Sequence, residues 1–166
     1  MASDDHDVEY TEELTNALEV LTRTSFRANR TRLAHMIDVQ PERFAPDARD
    51  ALLTGLEHRY DVELTYDGGD YIADVNVDFF VHDKKIGRIT TTCWPSLGKR
   101  KFTRKGRAML QHDLTKIKGW RVTCGLIASS ASIAVTWHGL NLTHVGDCQV
   151  PGSSLTGLSG GGGFIE

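Results

Sequence analysis

The 166-residue chain reads as an α+β domain: N-terminal helices, then a β-meander, a helix and a return strand. Three observations predict it. Apolar residues recur at helical spacing as far as Arg59. From Tyr60 they alternate with polar ones. Between Arg104 and Lys118 the helical spacing returns, and a β-rich stretch follows Gly119. The division that follows is a flexible N-terminus over 1–10, a helical region over 11–59, an α/β domain over 60–150 and a Gly-rich tail over 151–166. Hydrophobic residues at 40% and only four prolines describe a foldable globular chain. No apolar run approaches the ~18 residues needed to cross a bilayer.

In chain order, Thr11 is a helix cap with Glu12 and Glu13 in the first turn, and Leu14, Leu18 and Leu21 form the apolar stripe. A second helix is expected from about Ser25 to Ile37 on Phe26, Leu33 and Ile37. A third starts near Pro46, carries Ala48, Leu52 and Leu56, and ends near Arg59. Val62, Leu64 and Tyr66 alternate with polar residues as a half-buried strand, and Asp67-Gly68-Gly69-Asp70 is a hairpin turn. Tyr71 to Phe79 alternates again, His82 to Lys85 is a second tight turn, and Ile86 to Cys93 is a third strand.

Trp94 to Thr103 reads as a loop. Arg104 to Lys118 reads as the best helix in the chain, with Thr103 as N-cap, Ala108, Leu110, Leu114 and Ile117 on its buried side, and Gly119 beyond its end. Trp120 to Ile127 is a strand, and 128–136 is strand or short helix. The run Gly157 to Gly163 reads as flexible by composition.

Charge is unevenly distributed. Lys84 to Arg121 holds twelve Lys and Arg against one acid, Asp113, whereas Met1 to Asp83 holds seven basic and nineteen acidic residues. This asymmetry predicts either a polyanion partner or two oppositely charged faces packed together. Cys93, Cys124 and Cys148 are widely spaced and form no CxxC pair, so buried free thiols are expected and no metal site is. The acidic N-terminus is neither a secretory signal nor an Arg-rich transit peptide.

Residues 71–127 resemble the RAP domain, a relative of the PD-(D/E)XK nuclease fold found in organellar RNA proteins. The similarity lies in Val77-Asp78-Phe79, in the hairpin into Lys85-Ile86-Gly87-Arg88-Ile89, and in the helix end Lys118-Gly119-Trp120-Arg121-Val122. The resemblance implies a restriction-endonuclease-like α/β core. The acidic residue usual on the strand after the hairpin is missing, since that strand reads Gly87-Arg88-Ile89-Thr90-Thr91-Thr92. A nuclease needs clustered oxygen ligands for its divalent cation, and Asp78 alone does not supply them. Asp74 and Asn76 share its strand face, which is also what a solvent-facing strand requires. No catalysis, cofactor or metal is therefore expected.

Lys99, Arg100, Lys101, Arg104, Lys105 and Arg107 fall close together beside Trp94 and Phe102, a composition suited to single-stranded or ribosomal RNA. The alternative is that these cations pair with Asp47, Asp50, Glu57, Asp61 or Glu63. With the resemblance, the reading is a non-catalytic, RNA-associated or structural subunit of a mitochondrial ribosome or similar ribonucleoprotein. Its partners would be the protein subunits of that complex. The alternative function is an accessory subunit of a mitochondrial respiratory-chain complex without RNA contact. A mitochondrial location is expected, with the cytoplasm as the alternative.

Overall fold

The computed structural model describes residues 3–4, 9–55, 57–140, 143–152 and 156–166. The mobile segment expected over residues 1–10 falls largely outside them. Among the described residues, nine strands and two α-helices follow in chain order: β1 (Ser3–Asp4), α1 (Glu12–Val39), α2 (Ala48–Thr54), β2 (His58–Gly68), β3 (Ala73–Val81), β4 (Lys84–Cys93), β5 (Arg100–Leu110), β6 (Arg121–Ala128), β7 (Ser132–His138), β8 (His144–Pro151) and β9 (Gly157–Ile165). Strands β2 to β9 pair antiparallel in the order β5-β2-β3-β4-β9-β6-β7-β8, and β8 returns to β5. The result is a closed eight-stranded barrel. The two-residue β1 adds a short parallel pairing at the start of β5.

This corrects the expected α/β nuclease-like core. Residues 104–110 are strand, not helix, and a single 3-10 turn at Leu114–Lys116 is the only helical piece left of that predicted element. Phe102, Arg104, Ala108 and Leu110 point inward at a period of two. Met109 is equally buried on the outside, where α1 packs on β5 and β8. Apolar residues on both faces of one strand gave the segment its helical look.

The two predicted N-terminal helices are one, capped as expected by the Thr11 hydroxyl, which accepts from the Leu14 N–H at 3.1 Å. Thr22 and Thr24 sit mid-helix because each hydroxyl donates to the carbonyl four residues back, at 2.7 and 2.8 Å. Its buried residues are Leu18, Thr22, Phe26, Leu33, Ala34 and Ile37. α2 stops at Gly55, short of Arg59. The β2–β3–β4 meander has the expected turns, with His82 and Asp83 both in the left-handed region that a two-residue hairpin demands.

β9 is the largest departure from the sequence reading. The Gly-rich stretch is a strand hydrogen-bonded on both sides, to β4 and to β6. A Cβ on Gly161 would run into the Thr92 carbonyl oxygen, and one on Gly163 into that of Thr90. Glycine is thus what permits this close approach.

The barrel interior is filled. Tyr60, Leu64, Val77, Phe79, Ile89, Leu126, Val135 and Trp137 form one cluster, and an eight-stranded barrel is just wide enough for side chains to occupy it. Among the described residues no helix is long and apolar enough to cross a membrane.

Candidate functional site: a charge-poor barrel face

The strand period sorts the six cations. Arg104 points inward and is 3% exposed, with its guanidinium 5.1 Å from the Phe102 ring centroid. Lys101, Lys105 and Arg107 point outward from β5, and the register sets each opposite an acid of β2: Asp67, Glu63 and Asp61 respectively. Arg107 is ion-paired with Asp61 and also lies 3.6 Å from Glu19 on α1. Lys99 pairs with Asp70 of the β2–β3 turn, and Arg100 lies at the start of β5 beside Ser3. The segment is therefore one side of a charge-matched antiparallel pair.

Asp78 is similarly engaged. Burial would raise its carboxyl, but hydrogen bonds and charge from Arg88 and Lys85 outweigh this and hold it below its ordinary value. Arg88 approaches at 2.6 Å and Lys85 at 3.1 Å. Among the described residues, no group of three or more His, Cys, Asp and Glu is placed to hold a metal ion.

One acid–base pair lies beneath α1. Asp147 is fully buried; its Oδ1 accepts from Ser25, Asn29 and Thr136 at 3.1, 2.8 and 2.7 Å, and its Oδ2 accepts from His144 Nε2 at 2.7 Å. His144 Nδ1 accepts from the Gln111 amide at 3.0 Å. Burial chiefly, then the neighbouring His144, holds the adjacent His138 below its ordinary value. These contacts tie α1 to β7 and β8 and leave Asp147 sealed from solvent. The sequence signal for it was faint, because its members lie on four separate elements.

The opposite side of the barrel differs. Arg121 is the sole Asp, Glu, Lys or Arg in β6, β7 and β9. In register, the outward positions here are Leu158 beside Ile127, Gly160 beside Gly125, Gly162 beside Thr123, and Phe164 beside Arg121. The centre is bare backbone, and large apolar side chains stand at both ends. Trp94 (70% exposed), Ile127 and Leu158 (73%) flank one end; Trp120, Leu140 (80%) and Phe164 flank the other. The Trp94 ring edge lies over Gly160. An open cleft of about 610 Å³ follows this second end, lined by Arg121, Thr123, His138, Leu140 and Phe164 among others. Trp94 and Trp120 are thus both at the surface, and Gly125, read from the sequence as strand, forms one floor with Gly160 to Gly163, read as flexible by composition.

No family model and no curated protein matches the sequence. Solved structures share the fold, among them two virulence-associated proteins. The virulence-associated protein VapB from the intracellular pathogen Rhodococcus equi is 16% identical with a TM-score of 0.56, the match covering 67% of this chain and 98% of that one. The virulence-associated protein VapD from the same organism is 17% identical, also at 0.56, over 66% and 98%. The barrel they share replaces the RAP-like, PD-(D/E)XK-like core. The ribonucleoprotein or respiratory-chain subunit and the mitochondrial location rested on that core and fall with it.

Proposed function

We propose that this chain is a non-catalytic recognition protein that docks another protein on the charge-poor face of β9, β6 and their neighbours. The observation that carries the reading is the charge depletion of that face beside the charge-dense face of β2, β3 and β5. Loss of charge from the centre of a patch and enrichment in aromatic residues are what distinguish a protein interface from ordinary surface. Patches of contiguous exposed apolar side chains rimmed by polar ones mark interaction sites. The flat glycine floor suits an extended protein surface better than an enclosed small molecule, which prefers a concave pocket. The filled lumen and the enclosed Asp147–His144 pair support recognition over chemistry. The two structural neighbours carry virulence-associated names from an intracellular pathogen, which favours a partner met where a bacterium encounters its host.

The test is site-directed photo-crosslinking in the cells that make the protein. A photoreactive side chain at Leu158 should yield a discrete adduct with one protein, and Trp94→Ala should weaken that adduct. The same probe at Glu63, on the charged face, should yield none. Equal labelling from both positions, or no adduct from Leu158, would overturn the proposal.

A further inference from the structure

Cys93 ends β4 and Cys124 lies in β6, and both are paired in register with Gly161 of the intervening β9. Their side chains turn into the lumen beneath that glycine, and the two Sγ atoms are 3.0 Å apart, about 1 Å beyond the ~2.05 Å of a disulfide. Two cysteines separated by a full strand would ordinarily be too distant to join. Here the close approach of β9 to β4, which only glycine allows, and the curvature of a small barrel bring the sulfurs together. Cys148, the third thiol, is fully buried on β8.

We propose that Cys93 and Cys124 are a disulfide-forming pair, joined beneath β9 when the chain folds in the presence of a disulfide oxidant, either glutathione disulfide or a protein thiol–disulfide oxidoreductase. The chemistry is two thiol–disulfide exchanges. The Cys124 thiolate attacks one sulfur of the oxidant, forming a mixed disulfide and expelling the other sulfur as a thiolate. Cys93, its proton passing to that departing thiolate, then attacks the Cys124 sulfur. The protein disulfide forms and the second oxidant thiol leaves. Two protein thiols are oxidised, and one oxidant disulfide is reduced to two thiols.

In the folded, reduced barrel the two sulfurs are unequal. The hydrogen bond from Cys93, with help from Thr91 and the Gly161 N–H and against the effect of burial, brings the Cys124 thiol down to about 7. The hydrogen bond to Cys124, then burial, pushes the Cys93 thiol up. Both sulfurs are sealed once β9 is in place, so the first exchange belongs to the chain before β9 docks and the second to its docking. The resulting bond ties β4 to β6 across the strand that floors the charge-poor face.

The experiment refolds the full chain from guanidinium, once in a glutathione redox buffer and once with excess dithiothreitol. Each product is denatured in N-ethylmaleimide, weighed intact and peptide-mapped, after near-UV circular dichroism has shown that it folded. The glutathione product should take one maleimide, at Cys148, and give a peptide linking Cys93 to Cys124; the dithiothreitol product should take three. Cys148→Ser should keep the linked peptide, and Cys93→Ala should lose it. Three maleimides on folded glutathione product, a persistent glutathione adduct on Cys124, or a link through Cys148 would overturn the proposal. Should Cys93→Ala not fold, the wild-type and Cys148→Ser maps decide.

Discussion

Asp147 holds α1 to the barrel, and its replacement should reveal how strongly. In Asp147→Ala four donors lose their acceptor: Ser25, Asn29, Thr136 and His144. The first three keep partial access to water and recover some of the loss. His144 is 4% exposed and does not. A buried donor left unsatisfied costs about 1–3 kcal/mol, and the three partly hydrated donors add about 1 kcal/mol more in sum, so about 3 kcal/mol is expected. With a urea slope of about 2 kcal/mol per M, the midpoint should drop by roughly 1.5 M. Asp147→Asn keeps an oxygen toward Ser25, Asn29 and Thr136. His144 can then accept from the new amide through Nε2 and donate through Nδ1 to a flipped Gln111 amide, so about 1 kcal/mol is expected. Tryptophan-fluorescence melts in urea measure both. A cost below about 1 kcal/mol for Asp147→Ala would refute the pin, and an Asn variant as damaged as the Ala variant would refute the assignment of the three donors to one retained oxygen.

Three further outcomes follow from the structure. Gly163→Ala forces a methyl against the Thr90 carbonyl and should cost about 1–3 kcal/mol in a thermal or urea melt, whereas Gly125→Ala, which meets nothing within 4 Å, should be neutral or slightly stabilising. Stability should decline as pH falls below about 6.5, because His138 and His112 are both held below their ordinary value, chiefly by burial, and so the unfolded chain takes up their protons first. The contribution is complete above the unfolded pKa and is lost as pH approaches the folded ones; His138→Gln should flatten part of a urea midpoint-versus-pH profile. Tyr60→Phe removes the hydroxyl that accepts from the Leu114 N–H at 3.0 Å and should cost about 1 kcal/mol, with the fold unchanged by circular dichroism.

The legible parts of the fold were those whose two faces differ. β2, β3 and β4 have a lumen side and a watered side, so Val62, Leu64 and Tyr66 alternate with polar residues and the hairpin turns stand out. α1 was legible in its cap and stripe, though not in its continuity across Thr22 to Ser25. β5 misled because a buried arginine and an outward buried Met109 blurred its alternation. β8 gave no alternation to read, since all eight of its residues are buried between the lumen and α1. β9 gave no side-chain pattern, because its core is glycine.

The same contrast decides what could be read of the site. The basic cluster drew attention because charge is conspicuous in a sequence, yet its outward members meet acids more than thirty residues earlier, a match that only the β2–β5 register reveals. The charge-poor face is made of what a sequence shows least: glycines, threonines and isolated apolar residues, brought side by side from β4, β6 and β9. Its flatness and its lack of charge have one origin. Its outward centre is Gly125, Gly160 and Gly162, and glycine neither fills the surface above it nor carries charge to solvate it. The backbone so exposed is already paired within the barrel, so a partner meeting this face would find few free hydrogen-bonding groups and would have to gain its binding energy from the apolar side chains at its two ends. That places Trp94 and Leu158 at one end, and Phe164 and Leu140 at the other, as the positions where truncation should weaken docking most.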